Sequence, residues 1–174
     1  GGSGLLVYAD AKMSAVRTAD GLSSNRVRAL KVHAPGVVWV GTEDNGLCLL
    51  RRDSGDQWKV SGCATERDGL FDDVVHAVEL DAEGRLWMSS NRGLSWVDAE
   101  SALQRLTGEA PGRLSFVSYG IEHGLRNREF NGGAWPSSAR GRDGELLFPS
   151  QAGLVVVRPG RLPRPSSPRV SIDR

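Results

Sequence analysis

One phrase occurs three times in this chain, and a sequence that repeats at about 48 residues (Gly21 to Gly69) must fold into copies of one supersecondary unit. Asp20-Gly21-Leu22, with Val27 six residues beyond the glycine, is echoed by Asp68-Gly69-Leu70 with Val75 and by His123-Gly124-Leu125 with Phe130. Downstream, Gly36-Val37-Val38-Trp39-Val40-Gly41-Thr42 matches Gly84-Arg85-Leu86-Trp87-Met88-Ser89-Ser90. More loosely, it matches Gly144-Glu145-Leu146-Leu147-Phe148-Pro149-Ser150. A Gly-Leu pair follows at Gly46-Leu47, Gly93-Leu94 and Gly153-Leu154, and a fourth copy at Gly4-Leu5 means that the chain opens in the middle of a unit. The first two landmarks lie 15 residues apart in two copies (21 to 36, 69 to 84) and 20 in the third (124 to 144), which places a five-residue insertion around Ala134 to Arg140.

Each unit reads as four short strands. Val27 to Val32 and Val74 to Leu80 alternate apolar and polar residues, as a strand with one buried face does. The Trp-bearing strands come next, at Val37 to Gly41 and Leu86 to Ser89. The Gly-Leu strands then run from Gly46 to Arg51 and from Leu94 to Val97, and a more polar strand such as Trp58 to Gly62 closes the unit. With 22 Gly and 8 Pro, long helices are not expected. Four antiparallel strands per unit, with one aromatic at a fixed place, describe a β-propeller blade. Trp39 and Trp87 are expected to fill the wedge between blades, with Gly41, Gly46, Gly93 and Gly153 as structural repeat positions. The expected fold is all-β: about three four-stranded antiparallel blades of an incomplete ring, since propellers have four to eight. Residues 1–20 form the tail of a preceding blade, 21–67, 68–122 and 123–160 are blade repeats, and 161–174 begin a further segment. Open flanks on the first and last blades favour association.

Net charge is +1 without blocks of like charge, so neither nucleic acid nor an anionic membrane surface is an expected partner. Apolar runs such as Val37-Val38-Trp39-Val40 and Leu154-Val155-Val156-Val157 are far shorter than a membrane helix. His33, His76 and His123 are widely spaced and outside any metal-ligand motif, so no metal and no other cofactor is expected. Asp72-Asp73 and Asp53 with Asp56 read as turn acids. Asp81-Ala82-Glu83-Gly84 departs from a sialidase Asp-box in register, and no catalytic constellation is found. Trp135 is different from the repeating tryptophans: it lies in the long turn of the third unit, and loops carry function more often than strands. Trp135, with Asn127, Glu129 and Asn131 nearby, is the candidate contact for a ligand or partner. Cys48 and Cys63 are symmetric about position 55.5, so a hairpin turning at Ser54-Gly55-Asp56-Gln57 sets them opposite each other, either as a disulfide or as two buried thiols.

The pattern Gly21-Leu22-Ser23-Ser24-Asn25-Arg26-Val27-Arg28-Ala29, then Val38-Trp39-Val40-Gly41-Thr42, then Gly46-Leu47, resembles the two-component regulator propeller repeats of bacterial sensors. Glu129-Phe130-Asn131-Gly132-Gly133-Ala134 is similar to the hallmark of that family's last repeat. Val157-Arg158-Pro159, the stretch Pro163 to Pro168 and Arg169-Val170-Ser171-Ile172 are similar to its junction with a small immunoglobulin-like domain. The chain departs from the pattern at Ser89-Ser90, Leu147 and Pro149. The resemblance implies a non-catalytic, periplasmic or extracytoplasmic sensor segment of an inner-membrane receptor whose output is a histidine kinase or a diguanylate cyclase. It further implies a small-molecule or oligosaccharide ligand, missing blades from the same protein, and self-association of the parent receptor. The alternatives are a propeller of a secreted polysaccharide-processing enzyme and a generic protein-interaction propeller.

Overall fold

The computed structural model describes residues 2–9, 11–133 and 136–162. Its strands fall into four antiparallel sheets taken strictly in chain order, each strand pairing with its sequence neighbour. A hairpin of β1 (Leu5–Ala9) and β2 (Lys12–Val16) comes first. The first full blade holds β3 (Val27–Ala34), β4 (Val37–Thr42), β5 (Leu47–Arg52) and β6 (Trp58–Ala64). The second holds β7 (Ala77–Leu80), β8 (Arg85–Ser89), β9 (Leu94–Asp98) and β10 (Val117–Tyr119). The last sheet has β11 (Ala139–Arg140), β12 (Leu146–Ser150) and β13 (Gly153–Val157). Among the described residues the architecture is thus all-β but for one short α-helix, a succession of propeller blades that does not close. The third unit departs from the four-strand expectation, with three strands among the described residues. The expected further segment lies almost wholly at 163–174, outside the described residues, as does Trp135.

Period-two strands bury one face toward each neighbouring blade, so the core is a set of seams between sheets. Trp39 joins Leu86, Met88 and Val78 across the first full seam, and Trp87 joins Leu146, Phe148 and Phe130 across the next. Both indoles are fully buried. Leu147, at the Trp place of the third unit, is only half-buried because alternation turns it away from the second blade, while Phe148 beside it fills the seam. The inner strands are tied across blades by polar contacts. Lys31 Nζ lies 2.6 Å from Glu79 Oε2, Ser138 Oγ donates to Glu79 Oε1 at 2.8 Å, and Ser137 Oγ donates to the His76 carbonyl.

Three local expectations are corrected. The strand expected from Val74 begins at Ala77, because the Val75 amide donates to the Thr42 carbonyl of the preceding blade rather than to its own sheet. His76 therefore precedes the strand rather than lying inside it. The hairpin between β5 and β6 does not turn about 55.5. Arg52 pairs with Trp58 around a 53–57 loop centred on Gly55, and a bulge between the Leu50–Val60 and Leu49–Gly62 pairs then adds Ser61. That extra residue is what sets Cys48 opposite Cys63, and the two are joined as a disulfide. Finally, the second blade carries α1 (Ala99–Leu106) between β9 and β10. Asp98 caps it, its Oδ1 accepting the Ser101 amide at 2.8 Å, and Ala99, Ala102 and Leu106 bury one face at helical spacing. Leu106 packs in the seam with the first blade, where its carbonyl passes so close to Gly62 that a Cβ there would lie 2.5 Å away.

Candidate functional site

The loops that enter each blade and the hairpins that join its second and third strands gather on one face of the molecule, and a repeated set of ties holds them. Each entry begins with a single 3-10 turn, at Thr18–Asp20, Glu66–Asp68 and Ile121–His123. The third residue of the turn accepts a backbone amide in every copy: Asp20 from Arg17, Asp68 from Thr65, and His123 Nδ1 from Gly120. Three residues after the following glycine, a short polar side chain accepts the amide two residues ahead: Ser24 from Arg26, Asp72 from Val74, Asn127 from Glu129. The chain then crosses to the preceding blade, Val75 N donating to Thr42 O at 2.8 Å and Phe130 N to Ser90 O at 3.1 Å. The receiving hairpins are closed in turn by Thr42, Ser90 and Ser150, whose hydroxyls donate to the carbonyls of Gly46, Gly93 and Gly153 at 2.9, 3.1 and 2.8 Å. Serine at 90 therefore keeps the bond that threonine makes at 42. Gly46 has a φ of 79°, and a Cβ there would strike the Ala64 carbonyl. At Gly41 a Cβ would lie 2.6 Å from Val75 Cγ1, so the segment that crosses ahead of β7 needs that glycine's bare face.

Three of the four candidate contact residues are placed by this frame; the fourth, Trp135, lies outside the described residues. Asn127 is a turn residue equivalent to Ser24 and Asp72, and its Oδ1 is occupied by the Glu129 amide at 2.9 Å. Glu129 and Asn131 have exposed side chains, and their backbones hold the loop: Gln151 N donates to Glu129 O, and Asn131 N donates to Pro149 O. Gly132 lies hard against the His76 ring, where no Cβ would fit, while His76 Nε2 stands 2.8 Å from Asn91 Oδ1. Asp72, Asp73, Glu43 and Asp44 on this face are engaged. Asp72 accepts the amides of Val74 and Asn91, and Asp73 accepts the Glu66 amide at 2.7 Å. Arg26 pairs with Asp44 and Arg28 with Glu43. The Arg26 hydrogen bond, then that from Ser24, holds the Asp44 carboxyl below its usual value, and the Arg28 hydrogen bond does the same for Glu43. These groups hold loops in place; they do not form a spaced acid and base. Among the described residues no three of His, Cys, Asp and Glu converge as metal ligands, and no helix is long and apolar enough to cross a membrane.

Residues 21–44 match the family model described as two component regulator propeller. No curated protein matches the chain. Among solved structures, the extracellular domain of BT4673 from B. thetaiotaomicron, titled a one component system in one structure and a hybrid two component system in another, superposes with TM-scores of 0.65 and 0.66. Each match has 14% identity and covers 91% of this chain and 21% of the other. The extracellular domain of the hybrid two component system BT3049 from the same organism gives 0.53 and 17% identity, over 90% of this chain and 25% of the other. The likeness establishes the propeller fold, and the chain spans about a fifth to a quarter of those structures.

Proposed function

We propose that this chain, whose first full blade carries a two component regulator propeller repeat, is a non-catalytic, extracytoplasmic ligand-sensing segment of a bacterial membrane receptor. The observation that carries the reading is the family match at 21–44, which runs from the glycine after the entry turn through β3 and β4 into the hairpin that Thr42 closes, landmarks that recur along the chain. The parent's output is a histidine kinase or a diguanylate cyclase, and the ligand is a small molecule or oligosaccharide. Leu6, Tyr8, Met13, Leu30 and Val32 near one end and Leu154 and Val156 at the other are exposed large apolar side chains. Such flanks suit further blades of the same protein, and self-association of the receptor follows from its signalling class. Signal arises if a ligand binds one arrangement of the receptor better than another.

The test is genetic. An in-frame deletion of residues 21–122 from the chromosomal gene is expected to abolish ligand-dependent transcription with the shortened protein still detected at the cell envelope, and in the undeleted protein the blades should be open to external protease after outer-membrane permeabilisation. Protection of the blades from that protease would overturn the location. Hydrolysis of an oligosaccharide by the purified chain would overturn the non-catalytic role in favour of a polysaccharide-processing propeller.

A further inference from the structure

On the outer rim, where α1 reaches across from the second blade to β6 of the first, the two blades leave a groove of about 470 Å³. That is within the range of small-ligand sites, roughly 300–1,000 Å³. Three arginines from three segments of the second blade line it: Arg67 from the entry turn, Arg105 from the last turn of α1, and Arg113 from the loop that returns to β10. The one carboxylate among the lining residues is Asp68, whose Oδ2 already accepts the amide and hydroxyl of Thr65. Three guanidinium charges therefore share the groove with one carboxylate, one of whose oxygens is engaged inside its own turn, which leaves the lining with a net positive charge.

These arginines differ from their neighbours on the same blades. Arg51, Arg52, Arg85 and Arg92 each have an acidic partner within 4.0 Å, whereas among the described residues Arg67, Arg105 and Arg113 have none. Two are nevertheless held in place by carbonyls. Arg105 Nε donates to Gly112 O at 2.6 Å, and Arg113 Nη2 donates to Arg67 O at 3.3 Å. A carbonyl orients a guanidinium without cancelling its charge, and each arginine has five N–H donors, so most remain free. The carbonyls at the C-terminal end of α1 would repel an anion, but several are occupied. Leu103 O accepts from Thr107 N, Gln104 O from Glu109 N, and Arg105 O from Gly108 N. The bulge adds a further donor, because Ser61, left without a partner on β5, lines the same groove.

We infer that this groove binds a small organic polyanion, a molecule carrying two or three carboxylate or sulfate groups, on Arg67, Arg105 and Arg113. Guanidinium forks match the geometry of both oxyanions. The groove lies between two complete blades, so it does not depend on further blades to form.

Isothermal titration calorimetry of the complete chain at fixed ionic strength tests this with sodium citrate and sodium sulfate as probes and maltose as the neutral control. Citrate, sulfate or both should bind saturably at one site, and the stronger of the two identifies the oxyanion. Arg67→Gln should weaken that binding about tenfold or more, as expected for a lost hydrogen bond to a charged group. The Arg67 side chain makes no hydrogen bond among the described residues, so this variant should keep its melting temperature. Arg92→Gln, which removes an equal charge from a paired arginine, should leave affinity unchanged. With the unaltered protein, citrate should shift the Gly108 and Gly112 amide resonances. Absence of saturable binding by both anions, equal losses in the two variants, or shifts confined to other loops would overturn the site. The readout is binding rather than signalling, so its failure leaves the sensor proposal where it stood.

Discussion

The first and second blades bury the same indole in the same wedge, yet they treat its N–H in different ways. Trp87 Nε1 donates to Asp81 Oδ2 at 2.8 Å, and Arg85 Nε donates to the same oxygen at 2.6 Å. Asp81 Oδ1 accepts the amides of Glu83 and Arg85, so the buried carboxylate is fully used. In the first blade the equivalent position, 48 residues earlier, is His33, at a register shift in β3. Its ring meets Trp39 edge-on at 6.0 Å, and His33 Nδ1 and Trp39 Nε1 are both buried without partners. The blades differ in a second respect, since the first is cross-linked by Cys48–Cys63 while the second is strapped by α1. The repeat thus dictates the volume to be filled in each seam and leaves its polar partner free to vary.

The largest effect expected on this comparison comes from truncating the tryptophans. Trp39→Ala and Trp87→Ala should each cost about 3–5 kcal/mol, measured by urea unfolding. Trp87→Ala should cost more, because Asp81 then loses a donor; equal losses would remove the distinction. Next is the disulfide, which closes a 15-residue separation. Its removal should cost about 3 kcal/mol and raise amide exchange in β5 and β6, with β8 and β9 unchanged. Uniform exchange across both blades would show that they do not loosen separately.

A smaller effect should come from changing the polar partner itself. Asp81→Asn turns an amide N–H toward Arg85 or Trp87 and should cost about 2 kcal/mol, whereas His33→Asn offers Trp39 an acceptor and should stabilise by up to about 1 kcal/mol. A loss of stability in both variants would mean that Trp39 has no use for a partner. The smallest effect is that of acid. Asp44, Glu43 and Asp53, all in the first blade, have depressed carboxyl values, Asp53 through the Lys59 hydrogen bond and then the Gln57 amide. Such groups add stability above their unfolded values of 3.8 and 4.5, and that stability fades as pH falls through the lower folded values. Stability measured from pH 6 to pH 2.5 should therefore show an acid limb that Asp53→Asn makes shallower.

Much of this was legible in the residues. The entry glycines, the Gly-Leu hairpins and the two tryptophans recur in the same order, 47 or 48 residues apart in the first two units, and a repeated local geometry leaves a repeated local signature. The turn role of Asn127 could also have been read, from its alignment with Ser24 and Asp72. The helix had a signal that the blade template obscured: Asp98 as cap, then apolar positions at 99, 102 and 106. The bulge at Ser61 had none. An unpaired residue in a strand has no characteristic side chain, so symmetric counting reached the right cysteine pair through a hairpin that does not exist. Arg67, Arg105 and Arg113 were equally silent, each an ordinary surface residue in its own segment.

The amino-acid sequence by itself determined the order of blades, the strand alternation and the aromatic wedges, because period-two burial and left-handed glycines are properties of short stretches of backbone. Only the tertiary structure decided which N–H has an acceptor, which residue slips to align the cysteines, and which three arginines share a groove. Those depend on surfaces meeting across a blade boundary, where close packing lets a carbonyl from α1 choose the glycine at 62 and leaves the guanidiniums beside it without an ion-pair partner among the described residues.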